Sequence, residues 1–144
     1  ELCMKIAVIV GSGGGIGRLL IEKLVQTFSN QIQIIALGTN ALATAAMLKA
    51  GANEGATGEN ALIWNVSRVQ LIIGPISILS PNAMLGELTP KMATAISDSP
   101  AKKIVIPLSK WNVQIAGLEK KPLPHYAEDI IEAVSQILRG EENV

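Results

Sequence analysis

Short uninterrupted apolar runs alternate along the chain with stretches in which apolar positions recur every three to four residues. Strands buried on both faces read as continuous apolar runs, and helices lying against them read as amphipathic stripes, so the alternation predicts a parallel sheet covered by helices. The first run is "KIAVIV", residues 5–10. In the stretch after it, Ile16, Leu19, Leu20, Leu24 and Phe28 share one helical stripe, with Arg18, Glu22 and Gln26 off it. A second strand is expected over Ile32–Leu37, then a helix over 41–50 that Thr39 or Asn40 caps and Gly51 stops. A third strand, Glu54–Ala56, is inferred from position alone, and Thr57 is expected to cap a short helix through "ENALIWNV". "VQLIIG" supplies a fourth strand, Thr89 followed by Pro90 a helix start, and "KKIVIPL" a fifth strand. "WNVQIAGL" is a candidate sixth, and Ala127, Ile130, Ile131, Val134, Ile137 and Leu138 form the apolar face of a last helix. The expected fold is a three-layer α/β sandwich around a mostly parallel sheet of about five or six strands.

Between the first strand and the first helix stands "GSGGGIG", residues 11–17, with five glycines in seven positions. Glycine allows positive φ in a tight turn and lets a ligand approach the backbone, while the helix that follows offers free N–H groups and a positive dipole end. The cluster is therefore a candidate seat for a nucleotide or other phosphate, the alternative being a purely structural turn. In an open α/β sheet the ligand crevice lies beyond the C-terminal ends of the strands. The expected site residues are accordingly Gly11, Ser12, Gly13, Gly14, Gly15, Ile16 and Gly17 after the first strand, and Gly38, Thr39 and Asn40 after the second. Thr57, Glu59 and Asn60 would follow the third, Gly74 and Pro75 the fourth, and Ser109 and Lys110 the fifth.

The chain has 144 residues, 49% of them hydrophobic and 17% charged, with a formal net charge of zero. That length suits one domain, and the absence of a basic cluster argues against nucleic acid or an anionic membrane as partner. The longest apolar run, "LIIGPISIL", is broken by glycine and proline and falls short of the ~18 to 20 residues of a membrane span. A cytoplasmic protein is expected, and the low charged fraction suggests a homodimer. The lone Cys3 cannot pair within the chain and precedes Met4. It reads equally as part of a non-native extension over residues 1–3 or as a functional thiol; residues 4–140 form the expected domain and 141–144 a tail. The single histidine, His125, has no metal-binding companion at ligand spacing, so no metal site is expected.

Gly11, Gly15 and Gly17 fit G-x-x-x-G-x-G, a spacing similar to that of short-chain dehydrogenases, although Val10 stands where that family usually has threonine. The similarity ends there, because Tyr126 is followed four residues later by Ile130 and not by the lysine of a Tyr-x-x-x-Lys pair. The second strand also ends in "LGTN", without the acidic residue that holds the adenosine ribose in dinucleotide folds. A broader resemblance runs through "MKIAVIVGSGGGIG", "IIALGTNALATAAMLKAGANEGATGENA", "IIGPISIL", "MLGELTPKMATAIS" and "AKKIVIPL". Together they resemble a family of short bacterial proteins known only as a domain of unknown function. The resemblance implies a Rossmann-like fold and a cytoplasmic location, with no catalytic residue to carry over. The family often has aspartate and glutamine at the positions of Val10 and Ser12, a departure that bears on any activity the family has.

Three functions stay open on these residues. The first is a binding module that holds a nucleotide, dinucleotide or phosphorylated metabolite on the glycine loop. The second is an enzyme acting on such a ligand, with Glu59 as acid or base and Lys110 against phosphate charge. The third is a structural or interaction protein without a ligand.

Overall fold

The computed structural model describes residues 3–12, 14–108 and 113–140. Five parallel strands, β1 (Met4–Val10), β2 (Ile32–Gly38), β3 (Glu54–Thr57), β4 (Leu71–Pro75) and β5 (Lys102–Ile106), form one sheet in the order β3-β2-β1-β4-β5. The first apolar run is continuous because both of its faces are covered. Ile6, Val8 and Val10 enter one core layer with Leu20, Leu24 and Ile130, whereas Ala7 and Ile9 enter the other with Leu62, Ile72 and Ile96. Register pairs Ile6 with Ile34 and Val10 with Gly38 on one side, and Val8 with Ile73 on the other.

Helices α1 (Gly15–Phe28), α2 (Ala41–Ala50) and α5 (Leu123–Leu138) pack together on one face, and α3 (Glu59–Val66) packs with α4 (Pro90–Asp98) on the other. This is the doubly wound three-layer α/β sandwich that the sequence pattern predicts. Chain order reverses at β1: the first connections lead outward to β2 and β3, and the third crosses back to β4. A crevice opens at such a switch point between the loops that leave the two central strands.

Local differences from the expected elements have physical causes. Asn40, not Thr39, caps α2, its side chain accepting from the Ala43 N–H at 2.9 Å. Thr57 does not cap α3: it is the last residue of β3 and donates its hydroxyl to Thr44, while Gly58 at φ 97° takes the cap position. Of the candidate strand "WNVQIAGL", Trp111 and Asn112 lie outside the described residues, and 113–118 form an exposed non-strand connection. Tyr126 ties down the end of that connection, accepting from the Lys121 N–H and donating to the Glu119 carbonyl. Among the described residues no helix is long and apolar enough to cross a membrane, and no group of three or more His, Cys, Asp or Glu could hold a metal ion.

Candidate functional site

A cavity of about 850 Å³ lies at the switch point. One wall is the end of β1 and the start of α1, formed by Val10, Gly11, Ser12, Gly14, Gly15 and Ile16. The facing wall comes from β4 and from 76–89, the connection leading to α4: Pro75, Ser77, Asn82, Ala83, Met84, Leu85 and Glu87, with Leu108 beyond β5. A volume of this size fits a metabolite or mononucleotide.

The glycines of "GSGGGIG" do different jobs. Gly14 is the N-cap of α1 at φ 81°, a left-handed conformation that costs a residue with a Cβ. Gly17 is buried under α2, and a Cβ there would stand 2.8 Å from both Met47 Cγ and Val10 Cγ2. At Gly11 a Cβ would meet the Thr39 hydroxyl at 2.5 Å and Met84 Sδ at 2.6 Å. Gly15 has neither requirement: its φ lies outside the left-handed range, and among the described residues nothing stands within 4 Å of a Cβ built on it. Glycine in the first turn of a helix costs conformational entropy, so the opening it leaves has no structural return.

That opening exposes the N-terminus of α1. The first N–H groups of a helix have no intrahelical partner. In α1 the cap is a glycine without a side chain to accept from them, and the first turn holds no acidic residue. Asn40 caps α2 and Thr89 caps α4, whereas α3 and α5, like α1, have no side-chain cap. What distinguishes α1 is that its first residues, Gly14, Gly15 and Ile16, line the cavity, where a helix N-terminus favours an anion.

Of the other expected site residues, Pro75 lines the cavity, whereas Gly38, Thr39, Asn40, Thr57, Glu59, Asn60, Gly74 and Gly17 do not. Gly38 is glycine for packing, since a Cβ would fall 2.2 Å from Thr44 Oγ1 and 2.7 Å from the Thr44 nitrogen. Gly74 is glycine because the Ile9 carbonyl would lie 2.5 Å from a Cβ. Glu59 is engaged at the seam between α3 and α4, where its carboxylate accepts from the Thr89 hydroxyl. Gly13, Ser109 and Lys110 lie outside the described residues.

Thr39 and Asn40 act on the site through a residue that sequence reasoning missed. Glu87 Oε1 accepts from the Thr39 hydroxyl at 2.7 Å and from Asn40 Nδ2 at 3.0 Å. The same Asn40 amide donates to the Ser12 carbonyl at 3.0 Å, so one side chain joins α2, the glycine loop and the β4–α4 connection. The hydrogen bond from Asn40, and after it that from Thr39, holds the Glu87 carboxyl below its ordinary range against a smaller opposing effect of burial. Met84 Sδ closes over Gly11, within 3.9 Å of the Thr39 hydroxyl. Three successive residues of this connection have positive φ, namely Met84 at 59°, Leu85 at 57° and Gly86 at 90°, and Leu85 is fully exposed. The available signal was length: fourteen residues, 76–89, without a strand or α-helix, following a central strand.

The family model described as Domain of unknown function (DUF3842) matches residues 5–139, and the chain belongs to that family. No curated protein matches it. Among solved structures, a crystal structure of a universal stress protein in complex with cAMP is similar at a TM-score of 0.39 and 17% identity, over 69% of this chain and 94% of that one.

Proposed function

For this member of the DUF3842 family, we propose a small-molecule binding module that seats the phosphate of a nucleotide or phosphorylated metabolite at the N-terminus of α1. The observation that carries the proposal is the cavity of about 850 Å³ at the switch point, walled on one side by the uncapped first turn of α1. Gly15 supports it, because packing and backbone conformation both leave that position open to a side chain. Among the described residues Glu87 is the only ionisable side chain that lines the cavity, so the reading rests on binding and names no catalytic pair.

The test is a thermal-shift and calorimetric screen of the purified chain against nucleotides, dinucleotides and phosphorylated sugars, repeated with Gly15→Asp. A ligand at one hundred times its dissociation constant adds about 2.7 kcal/mol of stability. Among the described residues position 15 has room for a Cβ, so a carboxylate there places negative charge in the phosphate seat. The expected result is a compound that raises Tm in the wild type and not in the folded variant. Equal binding by both proteins refutes the assignment of the phosphate to α1.

A further inference from the structure

The cavity is electrically divided, and the division points to a ligand class. At one end the first turn of α1 presents donors and a dipole that favour an anion. At the other, beyond the end of β2, stands an acceptor: the Glu87 carboxylate, held there by Thr39 and Asn40. Both bonds to Glu87 fall on Oε1, and no described group is bonded to Oε2. An ionised carboxylate only accepts, and its two oxygens have room for about four donors, so Glu87 retains capacity for donors brought from the cavity. A phosphate at this end would meet like charge, whereas hydroxyl groups would find acceptors.

The position of this carboxylate adds a second consideration. In doubly wound sheets a carboxylate at the end of the second strand accepts from ribose hydroxyls while the phosphates lie on the first helix. Here β2 ends at Gly38 and is followed by Thr39 and Asn40, with no acid of its own. Thr39 and Asn40 instead draw a carboxylate to that place from the β4–α4 connection.

Building on the phosphate seat proposed above, we infer that Glu87 reads ligand hydroxyls, so that the site takes a phosphorylated compound bearing a vicinal diol, with the diol at the β2 end and the phosphate at α1. Glu87 acts as a specificity residue in this arrangement. Its carboxyl stays ionised, held by Asn40 and Thr39, and so remains an acceptor.

Calorimetry on the full chain tests this with two matched pairs, ribose 5-phosphate against 2-deoxyribose 5-phosphate and adenosine 5′-monophosphate against its 2′-deoxy form, with inorganic phosphate as reference. The wild type should bind at least one ribose compound about tenfold or more tighter than its deoxy partner, the range of a hydrogen bond to a charged group. Glu87→Gln should reduce that ratio to about threefold or less, and should bind inorganic phosphate at least as tightly as the wild type because a nearby negative charge is gone. Gly15→Asp should weaken every probe. Equal binding of both members of each pair, with loss in Gly15→Asp, overturns the role of Glu87 and leaves the phosphate seat standing. An undiminished ratio in Glu87→Gln assigns diol reading to another group and also overturns the proposal. Binding of no probe by the wild type overturns the phosphate seat and the diol class together.

Discussion

Replacing Gly15 and Gly17 one at a time by alanine should move stability in opposite directions. Both glycines belong to α1, two residues apart, so their intrinsic gain on replacement is similar. Removing a glycine from a helix contributes about 0.5–1 kcal/mol, chiefly by restricting the unfolded chain. At Gly15 no described residue offsets that gain, since none places an atom within 4 Å of the new methyl group. At Gly17 the methyl would press on Met47 Cγ and Val10 Cγ2 at 2.8 Å, and both of these residues are buried. Overpacking of this kind costs about 1–3 kcal/mol, and the β-branched Val10 has little freedom to yield. The net expectation is a gain of about 0.5–1 kcal/mol for Gly15→Ala and a loss of up to about 2 kcal/mol for Gly17→Ala. For a chain of this size the two melting temperatures should differ by roughly 3–10 °C. Urea unfolding followed by circular dichroism, with unchanged m-values, measures the difference. If Gly15→Ala proves as destabilising as Gly17→Ala, position 15 has a structural requirement, and the open first turn of α1 no longer argues for a ligand.

Three further expectations concern the connection between β4 and α4. Glu87 has a lower carboxyl pKa in the folded state, so it contributes stability above its ordinary value of 4.5 that is lost as the pH falls through the lower folded value. Wild-type Tm should therefore drop more steeply on acidification than that of Glu87→Gln; parallel profiles would show that the bonds from Asn40 and Thr39 are not formed in solution. Leu85→Gly relieves a left-handed residue at φ 57° whose side chain is fully exposed. Relief of about 1–2 kcal/mol against a glycine entropy cost of about 0.5–1 kcal/mol predicts a change between neutral and about 1 kcal/mol stabilising, and a clear loss in urea unfolding would contradict it. Asn40→Ala removes the cap of α2 and both amide bonds, costing about 1–2 kcal/mol. Asn40→Ser, which restores only a capping oxygen, should recover part of that cost by thermal unfolding and fail if capping is unimportant.

The strands legible in the sequence are those whose two faces both meet core, because burial on both sides writes a continuous apolar run. β3, "EGAT", carries no such mark, since it is an edge strand with Glu54, Gly55 and Thr57 exposed. Only its place between two helices betrays it. The opposite error arose at 113–118, where Val113 and Ile115 alternate with polar residues at strand period yet remain 59% and 39% exposed. Alternation specifies a strand only when a neighbouring strand accepts it, and the described sheet ends at β5. Thr57 was misplaced by one step because strand pairing with Gly38 extends through it and leaves the turn to Gly58.

At the site, local rules located the glycine loop but could not assign roles within it. Gly11, Gly14 and Gly17 are set apart from Gly15 by Met84, by a backbone angle and by Met47, two of which depend on residues far along the chain. Glu87 was invisible for the same reason. No periodicity marks a single acid in a connection, and its position follows from donors on Thr39 and Asn40 nearly fifty residues away, as the sequence separations of 48 and 47 record.

The charge balance of the cavity limits how a phosphate can be held there. A site that binds phosphate by charge alone collects lysine or arginine, and the described lining residues include neither, while Glu87 contributes a negative charge. Attraction must then come from directed N–H groups and the dipole of α1, whose effect fades within the first turn. Such a site discriminates by geometry more than by net charge. A phosphate shifted toward β2 would lose the donors and approach Glu87, so the carboxylate proposed to read hydroxyl groups would also set which end of the cavity an anion takes. The absence of an acid at the end of β2, which by sequence alone weakens the case for a nucleotide, is thus offset in the folded chain by one supplied from the opposite wall of the crevice.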